Sequence, residues 1–159
     1  MIVVSNASPL LALAQADSLP ILKTLFGHIL VPEAVRLEVV DRCPVRDQRS
    51  RIEVAMTDFI VVAWHARRRS FSRNLGRGEQ GVIELALERG AQLLLMDDRK
   101  ARNEARELGL QCAFTTDVLR LAEQRGIIAS ATEIISSLRG ARIFLPVDNR
   151  QPGAPESGS

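Results

Sequence analysis

The sequence predicts an α/β fold with a largely parallel sheet. Three observations lead there. Short apolar runs recur along the chain, at Ile2–Ser5, His28–Val31, Phe59–Ala63, Gln92–Met96 and Leu110–Phe114. Helical stretches separate them, and several of those stretches close on a glycine. Strands alternating with helices of this length form parallel sheets, because a crossover helix must return the chain before the next strand can pair in parallel.

Ile2–Ser5 is a strand of the fully buried type. In Asn6-Ala7-Ser8-Pro9, Ser8 is expected as N-cap and Pro9 as first helical residue, with Leu10–Gln15 helical. Ser18-Leu19-Pro20 repeats that start for a second helix ending near Gly27. After the His28–Val31 strand, Pro32 opens a helix that carries Glu38 and ends near Cys43-Pro44. Asp47–Asp58 is read as a helix and Phe59–Ala63 as a strand. Trp64 to Arg77 breaks the pattern. It carries Arg67, Arg68, Arg69, Arg73 and Arg77 among Ser, Asn and Gly, and is read as a loop or frayed helix. Gly78–Arg89 is helical and closed by Gly90. Gln92–Met96 is a buried strand that ends in Asp97-Asp98. Arg99–Leu108 is a helix, Leu110–Phe114 a strand, Thr115–Gln124 and Ser130–Leu138 helices, and Arg142–Leu145 an edge strand.

The 159 residues suit one domain with a core of its own, assigned to 1–145. Residues 146–159 turn to Pro, Gly, Ser, Asp and Glu and are expected as a disordered tail. Aromatic residues make up only 4% and Tyr is absent, so the core must be aliphatic. The net charge of +2 excludes a general polycation, and the placement of the arginines matters more than their number. Cys43 and Cys112 are too far apart in sequence to suggest a zinc site or a disulfide framework; Cys112 is read as a small core residue. No run reaches the roughly 20 apolar residues of a membrane span, and a reducing cytoplasm is the expected home.

In parallel sheets the working site lies beyond the carboxyl ends of the strands. That rule selects Asn6, past the first strand, and Asp97 and Asp98, past Leu93-Leu94-Leu95-Met96. Helix periodicity selects two more acids. Glu79 falls on the face of Val82, Ile83 and Ala86, whereas Glu84 and Glu88 fall opposite and are read as solvent carboxylates. Glu38 lies on the inward side of its helix, between Ala34 and Val35, and Glu33 and Arg36 share the polar side. Inward carboxylates are costly unless their charge is compensated. Converging ones repel unless a cation sits among them, and hard oxygen donors without histidine suit Mg²⁺ or Mn²⁺. His28 and His65 are read as structural or exposed. Carboxylate-held metal suits phosphodiester hydrolysis, which needs no side-chain nucleophile.

The segments VVSNASPLLALA, VPEAVRLEV and GRGEQGVIELALERGAQLLLMDDRKARNEARELGL, in this order and spacing, resemble the PIN-domain superfamily and its prokaryotic VapC-like branch, from Val3 to about Leu145. The resemblance implies a three-layer α/β/α domain. It also implies a metal-dependent endoribonuclease of the toxin–antitoxin type, a small protein antitoxin as partner and a homodimer. Its acidic cluster maps onto Asn6, Glu38, Glu79 and Asp97, with Asp98 in support. The first position usually carries Asp, so Asn6 implies a neutral ligand, weaker metal binding and low or absent activity. The alternative is therefore a catalytically weak PIN-like module that binds RNA or antitoxin. Thr115 matches a small polar position of the branch, and Asp117 is a further candidate.

Other signals are discounted. Gly76 to Gly81 is formally G-x-G-x-x-G, but no strand runs into it, and Glu79 would repel a pyrophosphate. Asp97-Asp98 lacks the second acidic site of a phospho-receiver. Arg68, Arg73, Arg77, Arg99 and Arg102 flank the acids and are candidates to meet an RNA backbone. Trp64 and Phe71 are candidates to stack on bases, but are read first as covers of the core or of a dimer contact.

Overall fold

A computed structural model describes residues 1–146. The five strands are β1 (Val3–Ser5), β2 (Ile29–Val31), β3 (Ile60–Val62), β4 (Leu93–Leu95) and β5 (Cys112–Ala113). They form one sheet in the order β3-β2-β1-β4-β5, with every neighbouring pair parallel. The predicted fold class holds. The sheet is parallel because each connection between strands contains at least one helix. These helices are α1 (Ala7–Gln15), α2 (Pro20–Phe26), α3 (Glu33–Arg36), α4 (Arg46–Met56), α5 (Arg77–Arg89), α6 (Arg99–Glu107), α7 (Thr115–Gln124) and α8 (Ala131–Gly140).

Central β1 shows why the strand reads as an unbroken apolar run. Val3, Val4 and Ser5 are all fully buried, so both faces of the sheet are covered, as a three-layer domain requires. The core is aliphatic: Leu10, Leu13, Leu22, Ile29, Ile52 and Leu119 are among its largest fully buried members. Helix α1 packs on α4, α3 on α5, and α7 on α8. Among the described residues no helix is long and apolar enough to cross a membrane.

Several local expectations are corrected. Helix α1 starts at Ala7 with Asn6 as N-cap, so Ser8 is not the cap and Pro9 is the third helical residue, still in the first turn, where its missing N–H costs no bond. The helix opening at Pro32 has only one ordinary turn. From Leu37 to Asp41 it widens, and Arg42 N–H donates to Leu37 O at 2.9 Å, five residues back. Arg142–Leu145 forms no strand, since Ile143 N–H instead closes the end of α8 on Leu138 O. Cys112 is only partly buried, because β5 is an edge strand. The tail expected from 146 falls, beyond Pro146, outside the described residues.

Candidate functional site

The strand ends place the first groups. Ser5 pairs with Leu95 across β1 and β4, and Asn6 N–H donates to Leu95 O at 2.9 Å. Asn6 and Asp97 therefore leave adjacent strands at the same rim. Both are buried, at 6% and 2% exposure.

The backbone at Gly78 joins three predicted residues. A methyl group built there would overlap Glu38 Oε1 and come 3.4 Å from Asn6 Oδ1. The absent side chain thus lets a carboxylate and an amide oxygen press against the first turn of α5. Glu79, the next residue, folds its carboxylate back over Gly76, the N-cap of the same helix. Burial pushes the Glu38 carboxyl above its ordinary range, repulsion from Glu79 adds to this, and Arg42 works against it. Neither Glu38 nor Glu79 makes an ion pair with a described residue.

Asp97 belongs to a second group. Its carboxylate accepts Thr115 N–H at 2.8 Å and the Thr115 hydroxyl at 2.6 Å. Burial raises its proton affinity; the two Thr115 hydrogen bonds and Arg102 lower it, and Asp117 raises it. Asp117 is a capping residue, accepting Phe114 N–H at 2.8 Å, and Asp98 accepts Ala101 N–H at 2.9 Å as the cap of α6. The rim thus carries an Asn6–Glu38–Glu79 group and an Asp97–Thr115 group. Among the described residues no three His, Cys, Asp or Glu side chains close up into a metal cage on their own.

The donor set at Gly78 fits a hard divalent ion. Two carboxylates that repel each other, neither in an ion pair with a described residue, lie beside a neutral oxygen donor.

The arginines divide sharply. Arg73 is taken up by Glu104 and Glu107, each at 2.7 Å. Arg102 lies 3.5 Å over the Phe114 ring with its buried Nε unpartnered, half-withdrawn from solvent and close enough to Asp97 to lower its proton affinity. Neither side chain is free on the surface as the sequence reading supposed. Arg68 and Arg77 are exposed, and Arg99 is partly buried in the first turn of α6.

Sequence reasoning missed Glu84. It was assigned to solvent, yet it is 5% exposed, meets His65 Nε2 at 3.3 Å and accepts Arg69 N–H at 2.7 Å. Apolar residues on every side of α5, from Val82 to Leu87, were the available signal that this helix has no clean solvent face. Glu104 was missed likewise; it accepts Ser72 N–H and the Ser72 hydroxyl, both at 2.7 Å.

Compared with known proteins, residues 2–151 match the family DUF3368, described as a PIN domain. No curated protein matches. Among solved structures, the chain is similar to a PilT N-terminus domain protein, SSO1118, from the hyperthermophilic archaeon Sulfolobus solfataricus P2. The identity is 17% and the TM-score 0.49, over 77% of this chain and 93% of that one. It is also similar to a domain of a functionally unknown protein from Methanocaldococcus jannaschii DSM 2661, at 21% identity and a TM-score of 0.46, over 72% of this chain and 91% of that one.

Proposed function

The chain belongs to the PIN-domain family, and from that premise we propose that it is a ribonuclease dependent on Mg²⁺ or Mn²⁺. One observation carries the reading: Glu38 and Glu79 repel each other at the rim, unpaired, beside the Asn6 amide oxygen. Glu38, Glu79 and Asp97 would hold the ion, with Asn6 as a neutral ligand and Asp98 in support. The chemistry supplied there is water activation and charge compensation at the scissile phosphate. The protein's own part is positional. Gly78 lets Glu38 approach, and Thr115 donates to both oxygens of the Asp97 carboxylate and so holds it in place.

The test is RNA cleavage by wild type, Glu79→Gln and Asp97→Asn with Mn²⁺ and with EDTA. Loss on chelation and in both variants supports the reading, and equal cleavage in every arm refutes it.

Asn6 favours a second reading, a weak or inactive binding module, because its amide contributes no charge to the site. Asn6→Asp separates the two: strongly raised cleavage marks a handicapped metal site, and unchanged absence of cleavage marks a binding module. Action as a toxin with a small protein antitoxin, as a VapC-like homodimer, belongs to the same proposal. Co-expression with a neighbouring short reading frame, read as suppressed growth arrest, tests it.

A further inference from the structure

We infer that residues 64–75 form a fastened cationic lip that docks the phosphate backbone of single-stranded RNA, with Arg67, Arg68 and Arg69 as its contacts. The inference rests on the ribonuclease reading for the identity of the nucleic acid. It goes beyond that reading in naming the surface.

This segment has no regular structure, yet carboxylates from two helices tie it down. Glu88 of α5 accepts Ala66 N–H at 3.2 Å, and Glu84 accepts Arg69 N–H at 2.7 Å and meets His65. Glu104 of α6 accepts Ser72 N–H at 2.7 Å, and with Glu107 it holds Arg73. From the other side, Arg89 Nη2 donates to Trp64 O at 3.2 Å. Backbone amides thus occupy the acceptor oxygens of Glu84, Glu88 and Glu104, and Arg73 offsets the charge of Glu104 and Glu107.

Arg67, Arg68 and Arg69 are left over. All three side chains are exposed, and no described carboxylate lies within ion-pair distance of any of them. Three consecutive unpaired guanidinium groups on an anchored backbone repel one another and attract a polyanion. Because the backbone is already ordered, little loop entropy is lost on binding.

The lip also lies in the right place. Ala63 N–H donates to Val31 O, so the segment departs from the strand-end rim that carries Asn6 and Asp97. It returns through Gly76 into the turn holding Glu79. His65 Cε1 comes within 3.8 Å of the Cβ position of Gly81, one turn beyond Gly78. At its start, Trp64 is 76% exposed, a face on which an unpaired base can stack. Guanidinium groups for phosphates beside an open indole suit a single strand better than a duplex, whose bases are already stacked.

The experiment is fluorescence anisotropy with a labelled single-stranded RNA in EDTA, which separates binding from cleavage, across a salt series. Wild type is compared with the triple variant R67A/R68A/R69A and with Trp64→Ala. Loss of about 0.7 in the salt slope per removed contact, roughly 2 in total, together with at least tenfold weaker binding, supports the lip. An unchanged slope in the triple variant overturns it. So do wild type that binds no RNA, equal affinity for duplex RNA, and poly-glutamate competing as well as RNA. Should the triple variant not fold by circular dichroism, the single variants decide, each losing about 0.7 of slope if the lip is real. RNA bound through these arginines but never cut would end the ribonuclease reading and leave the lip standing. RNA cut normally by a triple variant with unaltered affinity would do the reverse.

Discussion

Glu38 lies against the backbone of Gly78, where repulsion from Glu79, the next residue, adds to burial in raising its affinity for a proton. A carboxyl raised in the folded state stabilises the fold below its unfolded value of 4.5 and loses that contribution as pH rises through the folded one. At neutral pH the pair is therefore a cost. Glu79→Gln should raise the stability of chelator-treated protein by on the order of 0.5 kcal/mol, about 1–2 °C in Tm. The same variant should lose the Tm gain that Mn²⁺ gives wild type. Thermal melts with EDTA and with Mn²⁺ check both halves, and a variant that melts earlier in EDTA contradicts the first.

Gly78→Ala should separate folding from function. Its added methyl meets the far end of a flexible Glu38 side chain, which can swing away. Alanine also favours the helix by up to about 1 kcal/mol. Stability should be unchanged or slightly higher, while Mn²⁺ affinity, measured by calorimetry, should fall at least about tenfold because Glu38 is displaced.

Thr115→Val should remove the hydroxyl bond to Asp97 and leave the backbone N–H bond. Underserving a buried carboxylate costs about 1–3 kcal/mol. Urea titrations should show that loss in wild type, whereas in an Asp97→Asn background, where no charge needs the hydroxyl, the same change should cost much less.

Glu104 contributes to the acid limb. Hydrogen bonds from Ser72 and Arg73 hold its carboxyl below the ordinary range. A depressed acid contributes stability above its unfolded value of 4.5 and loses it as pH falls through the folded one. Glu104→Gln should flatten the decline of Tm below pH 4.5. It should also raise amide exchange at Ser72, whose N–H loses its charged acceptor.

The strand-end rule found Asn6 and Asp97 because β1 and β4 are neighbours in parallel, a relation that alternating elements encode. Helix periodicity found Glu38 and Glu79 as inward groups, although Glu38 sits on a widened turn, because it is only the second residue of that turn. Periodicity failed at Glu84 because α5 is enclosed on nearly all sides, and burial there follows from a loop folding over it. The fates of Arg73 and Arg102 were equally hidden. Their partners Glu104 and Phe114 lie 31 and 12 residues away in sequence, and only tertiary packing brings them into contact.

The widened turn from Leu37 to Asp41 amounts to an α-helix that has absorbed one surplus residue. The same stretch packs against both α1 and α4, and Val39 within it is fully buried. The aim of position 38 is thereby geared to the seating of α4. Trimming or padding the bulge would turn the acid and the following helix together, so the length of this one turn sets both the rim and the layer behind it.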